Sequence, residues 1–187
     1  MIPNLAPFAT RIDQHTGRLD PDYGCVERTL ADMAGYYLDE SAADPTDLVY
    51  CVYPIPVDET CSEIQCSTTV IEPGLVGDEY FMTKGHFHAV RSRSEIYLGI
   101  RGTGMLVMAT EEGEHAVEPI KPGVLSYVPG GWAHRSVNVG DEPLIFLAAY
   151  IGDAGHDYVA IEDHGFPIRI TAGPDGPEVV DDPRHAR

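Results

Sequence analysis

The sequence predicts an all-β domain, an antiparallel sandwich or barrel. From about residue 47 onward, short runs rich in Val, Ile, Thr and Tyr recur, and Gly, Pro or Asp separates them roughly every eight to twelve residues. No internal repeat is visible, which favours one barrel over a duplicated pair. A length of 187 residues with 43% hydrophobic content suffices for one core and fits a single domain.

Residues 1–24 are rich in Pro, Gly and Asp without periodicity and read as an extended arm. "CVERTLADMAGYYLDE" (25–40) sets Val26, Leu30, Met33 and Tyr37 at helical spacing, although Gly35 weakens the pattern. A short helix is therefore expected there, packed with the arm (1–45) on a barrel spanning 46–172. Strand candidates follow in order: "DLVYCVYPIPV", "EIQCSTTVIEP", "EYFMTKGHFHAV", "SEIYLGIRG", "GMLVMAT", "HAVEPI", "LSYVPGG", "HRSVNVG" and "PLIFLAAYI". "GFPIRITAG" offers one more strand, and 173–187 reads as a polar C-terminal tail.

Twelve Lys and Arg stand against 30 Asp and Glu, a net charge of −18. Such acidity argues against nucleic acid, whose phosphates require basic surface, and fits a solubilising shell or a saline cytoplasm. The sign reverses locally: Lys84, Arg91, Arg93 and Arg101 accompany only Glu95 between residues 84 and 101. That island suits an anionic ligand, and strand-surface arginines give the same count. No apolar run approaches the roughly 20 residues of a membrane helix, and the N-terminus lacks a signal-peptide pattern. A cytoplasmic protein is expected. Cys25, Cys51, Cys61 and Cys66 form no CxxC and are expected to be free thiols.

In "KGHFHAVRSRSEIYLGIRG" (84–102), His86 and His88 share one face of an extended chain, where two imidazoles can chelate one divalent ion. Glu95 follows in the next strand and can add a carboxylate oxygen. Imidazole plus carboxylate suits zinc, iron, manganese, nickel or cobalt. Alone, the pair is a weak signal and reads more readily as two half-buried strand histidines. "GVLSYVPGGWAHRSVN" (123–138) adds a third candidate, His134, with Gly123, Pro129, Gly131 and Asn138 at fixed spacing around it. This spacing resembles the second motif of the cupins, small double-stranded β-barrels with a metal in the mouth. Their first motif corresponds to His86, His88, Glu95 and Gly102. Two departures stand out: Tyr80 occupies the usual glycine position six residues before His86, and the gap from His88 to Glu95 is longer than usual. The resemblance implies a single-domain cupin with a His3Glu site and Trp132 in the barrel wall.

The stretches "YFMTKGHFHA", "YVPGGWAHRSVNVGDEPLIFLAAY", "DAGHDY", "LADMAGYYLDE" and "STTVIEPG" resemble one cupin family, the metal-dependent, archaeal-type glucose-6-phosphate isomerases, from about residue 25 to 165. That family also has the longer His-to-Glu gap. The resemblance implies interconversion of glucose 6-phosphate and fructose 6-phosphate with one divalent ion per subunit, held by His86, His88, Glu95 and His134. It implies a phosphate cradle of Tyr50, Thr69, Thr83, Gly85 and Tyr150, with Lys84 nearby to draw in the dianion. Without it, these threonines and tyrosines read as strand formers and core rings. His156 and Tyr158, on one face if extended, are implied at the pocket mouth, and Tyr97 shares a strand face with Glu95. Glu95 is expected to serve as base as well as ligand. His15, His115, His164 and His185 are expected at the surface. The family also implies a homodimer, for which "LIFLAAY" and "LVYCVY" offer apolar strands. Competing readings are another cupin enzyme, a phosphomannose isomerase or a dioxygenase, and a non-catalytic sugar-binding or storage cupin.

Overall fold

The structure is a computed structural model and describes residues 6–41, 43–162 and 165–185. It opens with β1 (Arg11–Ile12) paired to β2 (Leu19–Asp20), followed by β3 (Val26–Thr29), a 3-10 turn (Leu30–Met33) and β4 (Leu48–Pro54). β5 (Ile64–Ile71), β6 (Leu75–Val76) and β7 (Glu79–Tyr80) come next. Then come β8 (Glu95–Arg101), β9 (Gly104–Ala109), β10 (His115–Ile120), β11 (Leu125–Val128), β12 (Ala133–Asn138) and β13 (Leu144–Ile151). One helical turn, α1 (Val159–Glu162), leads to β14 (Ile168–Gly173) and β15 (Gly176–Asp181).

A six-stranded sheet in the order β11-β8-β13-β5-β4-β3 and a three-stranded sheet, β10-β9-β12, share one apolar core. The ladders connecting these strands are antiparallel, as the closely spaced turns demand. Phe146, Ile71, Leu106, Val128 and Leu144 are at most 2% exposed. Burying each stabilises the fold by about 1.5–3 kcal/mol. Pro119 costs no interior ladder bond because β10 is an edge strand.

Period-two alternation decides what each face of the large sheet carries. Across it, Val52 pairs with Thr69 and Thr69 with Phe146, while Pro54, Ser67, Ala148 and Tyr97 form a second row. Tyr150 pairs with Glu95 in a third. All of these face the barrel interior. The intervening residues Cys51, Tyr53, Val70 and Ile145 form a smaller cluster on the outside with Leu19. The N-terminal arm covers that outer face, and Thr68 donates its hydroxyl proton to the Gly17 carbonyl.

Three expectations are corrected. The helix over 25–40 is absent: β3 pairs with β4, Val26 opposite Val52 and Arg28 opposite Tyr50, and only one 3-10 turn follows. Ladder bonds outweigh the local period, and Gly35, at φ +87°, ends the turn region. The 173–187 tail contains β15, which folds back on β14. Pro174 and Asp175 make a turn rather than a terminus, and the polar outward residues of β15 concealed its alternation. In "EYFMTKGHFHAV" only Glu79–Tyr80 is a strand. Beyond it the chain runs alongside β12 through isolated bridges, Met82 to Val137 and His86 to His134, because Gly85 takes a left-handed φ of +74°.

Candidate metal centre and substrate pocket

His86 and His134 are held opposite each other by the backbone. The amide of each donates to the other's carbonyl, at 3.2 Å from His86 and 3.1 Å from His134. Their rings lie 4.6 Å apart, and the His88 ring lies 5.7 Å from that of His86. Glu95, the first residue of β8, brings Oε2 to 3.1 Å from His88 Nε2 and 3.0 Å from His134 Nε2. One donor atom from each of the four residues falls within a 4.8 Å cluster.

The orientation of the rings suits a cation between them. Nδ1 of His88 lies 2.9 Å from the Arg93 carbonyl and Nδ1 of His134 lies 3.3 Å from the Trp132 carbonyl. A carbonyl only accepts, so Nδ1 carries the proton and Nε2 turns its lone pair inward. Those lone pairs meet a carboxylate oxygen, which is also an acceptor, so a proton or a metal must lie between them. His134 Nε2 approaches Glu95 without hydrogen-bond geometry, and His86 Nε2 is buried with no partner among the described residues. Three imidazole nitrogens and one carboxylate oxygen fit a first-row divalent ion.

Electrostatics agree. Burial alone raises the Glu95 carboxyl, but His134 and His88 outweigh it and hold the group well below the ordinary carboxylate range. Burial, reinforced by His134 and His156, pushes His86 far below the usual histidine value. For His88 burial is overcome by hydrogen bonds to Glu95 and the Arg93 carbonyl, which raise it. Burial and the Glu95 charge push Tyr97 well up, so its hydroxyl keeps its proton.

Above the four ligands lies a cavity of about 310 Å³. Tyr50, Thr69, Thr83, Lys84, Gly85, Tyr97, Tyr150, His156 and Tyr158 all line it, together with His86, Glu95 and His134. His88 lies behind this surface. Burial raises the Tyr50 phenol to about 12 and lowers His156, so both are uncharged at neutral pH. His156 stacks on Tyr158 with centroids 5.8 Å apart and sits 4.4 Å from the His86 ring. Thr83 Oγ1 accepts from the Ser136 amide at 3.1 Å, leaving its own proton free to donate. Gly85 is fixed by packing as well as by φ: a Cβ there would meet Phe166 at 2.7 Å and Arg135 at 3.0 Å.

Sequence reasoning missed Arg28, Ser67 and Ser136, which line the same cavity. Arg28 was hidden by the helical reading of 25–40. Its position opposite Tyr50 in the β3–β4 ladder brings it to the pocket. Ser67 was legible as the residue two before Thr69 on one strand face. Lys84 lines the pocket, but its ammonium also lies over the Tyr36 ring at 5.3 Å. His15, His115 and His185 are exposed, and His164 lies outside the described residues. Among the described residues all four cysteines are free, and no helix is long and apolar enough to cross a membrane.

Residues 27–178 match the profile of a protein family described as Glucose-6-phosphate isomerase (GPI). The chain belongs to this glucose-6-phosphate isomerase family. It is 48% identical over 185 residues to the glucose-6-phosphate isomerase of Thermococcus kodakarensis, covering 95% of this chain and 96% of that protein. The Thermococcus onnurineus enzyme of the same name is 44% identical, with 96% of each chain covered. The likeness extends to Sinorhizobium medicae, at 37% identity over 94% of this chain and 86% of that protein. A solved structure of Bacillus subtilis oxalate decarboxylase superposes with a TM-score of 0.46 at 26% identity, over 58% of this chain and 27% of that one.

In this glucose-6-phosphate isomerase family member the long gap between His88 and Glu95 is a loop tied to the segment that carries His156. Arg91 donates from Nη2 to Asp157 at 2.6 Å and from Nη1 to the His88 carbonyl at 2.5 Å. Arg93 makes two 2.7 Å bonds to Asp153. Arg101 pairs with Glu142. Three cations of the basic island are thus neutralised within the protein, which corrects the idea that they meet an anionic ligand.

Proposed function

We propose that the chain interconverts glucose 6-phosphate and fructose 6-phosphate in the cytoplasm, with one divalent ion on His86, His88, Glu95 and His134. The observation that carries this is the convergence of three imidazole nitrogens and a buried carboxylate at the base of a cavity lined by hydroxyls. Bound there, a divalent ion would polarise the sugar carbonyl and stabilise negative charge on its oxygens. The names and similarity of the relatives support the substrate.

The remaining steps belong to the protein. Thr69, Thr83 and the tyrosines Tyr50 and Tyr150 offer hydroxyl donors to the phosphate, and Gly85 lines the same space. Arg28 and Lys84 supply positive charge. Glu95 takes the proton from C2 and returns it to C1. To serve as base as well as ligand, the Glu95 carboxylate would have to be free of any bound ion when it takes the proton. Tyr97, protonated beside Glu95, orients that carboxylate. His156, neutral, exchanges a proton with the ring oxygen during ring opening, and Tyr158 holds its ring by stacking.

A homodimer is part of the same reading. "LIFLAAY" and "LVYCVY" are β13 and β4, both interior to the large sheet. Leu125 and Tyr127 on edge strand β11, 60% and 57% exposed, are the apolar side chains a second copy can cover. Glucose 6-phosphate formation from fructose 6-phosphate, followed together with dissolved oxygen, tests the reaction. Product without oxygen loss supports isomerisation. Oxygen consumption, or no product with any first-row divalent metal, removes it.

A further inference from the structure

Lys84 lines a second cavity besides the substrate pocket. This one, of about 350 Å³, is bordered by Tyr36, Lys84, Arg135, Glu162 and Arg184. Arg135 is 3% exposed, and its Nε and Nη2 both donate to one neutral acceptor, the Lys84 carbonyl, at 3.2 and 2.7 Å. Its guanidinium rests on the Phe166 ring at 4.6 Å. Nearby carboxylates are engaged elsewhere: Arg169 takes Glu79 and Asp182, and Arg184 shares Asp182. Glu162 accepts from the Tyr36 hydroxyl at 3.3 Å. Among the described residues no carboxylate lies within 4.0 Å of Arg135 or Lys84. Among the described residues Arg135 is thus a buried cation without a counter-charge, which is costly, and those at the rim bring three cations and one acid in a chain of net charge −18, which suits an anion.

We infer that this cavity is a second oxyanion site, which takes the phosphate group of a small phosphomonoester on Arg135, Lys84 and Arg184. A planar guanidinium and two further cations match the oxygens of a phosphate, and the volume leaves room for a short organic body. The site shares Lys84 with the substrate pocket, and Arg135 grips the backbone one residue before Gly85. Its occupancy therefore bears on sugar-phosphate binding without competing for the metal.

Calorimetric titration of inorganic phosphate into the full-length, metal-loaded protein is expected to fit two sites per chain. Arg184→Gln weakens one of them by about tenfold and Glu162→Gln strengthens the same one, since each changes the charge facing the ligand. Thr69→Val weakens only the other. In phosphate-free buffer Arg184→Gln and Glu162→Gln keep fructose 6-phosphate turnover within about twofold of the parent. Glycerol 3-phosphate binds the Arg184-dependent site more tightly than phosphate does. A single phosphate per chain, or two sites that ignore both charge changes, overturns the inference. Tighter binding of inorganic phosphate than of glycerol 3-phosphate overturns the phosphomonoester assignment. If Arg184→Gln does not fold, Glu162→Gln decides alone. Because binding is the readout, the result is independent of whether isomerisation is the reaction.

Discussion

Glu95→Gln keeps the size of the side chain while removing the charge that three histidines surround. Without a base at that position, turnover of fructose 6-phosphate should fall about 10²- to 10⁴-fold. A variant that keeps its metal and near-normal turnover would remove Glu95 as the base and favour a direct hydride shift. Arg28 is expected to act on binding rather than chemistry. Arg28→Ala should raise KM about tenfold with kcat nearly unchanged, the loss of one charge-assisted contact. An equal fall in kcat would place Arg28 in the transition state instead. The candidate metal ligands were legible from two sequence motifs, whereas the hydroxyl donors were expected only through the family resemblance, since alone they read as strand formers and core rings. Arg28 was not, because a four-residue ladder segment imitated helical spacing.

Local elements set how rigidly these side chains are held. The loop carrying Arg91 and Arg93 and the loop carrying His156 are joined by the ion pairs to Asp157 and Asp153, while Arg91 also holds the His88 carbonyl. Arg91→Ala should lower kcat about tenfold by misplacing His156, with thermal stability reduced by no more than about 1–2 kcal/mol. Arg91→Lys, which retains charge but not the two-pronged geometry, should recover only part. At the other end, β14, β15 and β7 are joined through the buried triad Glu79, Arg169 and Asp182. Glu79→Gln leaves Arg169 short of charge and should destabilise the protein by about 3 kcal/mol, read by chemical denaturation. The sequence disclosed neither set, since ion pairs between residues 13 to 90 positions apart leave no local pattern. β15 read as a tail because its polar, exposed residues hid the alternation.

At the scale of the whole molecule, antiparallel architecture and the order of strands from β8 to β13 follow from alternation and turn residues, so they were readable in the chain itself. How the sheets close on one another was not, because registers such as Phe146 opposite Thr69 are long-range choices. Two buried histidines make stability depend on pH. Burial holds His86 and His156 below 6.5, their value in an unfolded chain. Between the two values the unfolded chain binds more protons, so stability of the metal-free protein rises with pH and falls on acidification below 6.5. His88, raised instead, opposes this trend. The drop in melting temperature from about pH 7.5 to about pH 5.5 should therefore be smaller in metal-free His156→Asn than in the metal-free parent. An equal drop in both would mean that His156 titrates as freely in the fold as in the unfolded chain.

The dependence of isomerisation on the His86, His88, Glu95 and His134 centre is tested most directly by removing and restoring the ion. Fructose 6-phosphate conversion, coupled to glucose 6-phosphate detection, should vanish on exhaustive chelation and return with one equivalent of a first-row divalent metal. Melting temperature should follow, with about 4 kcal/mol of stabilisation when free metal exceeds its dissociation constant a thousandfold. Full activity in the chelated, metal-free protein would contradict the metal-centred reading outright.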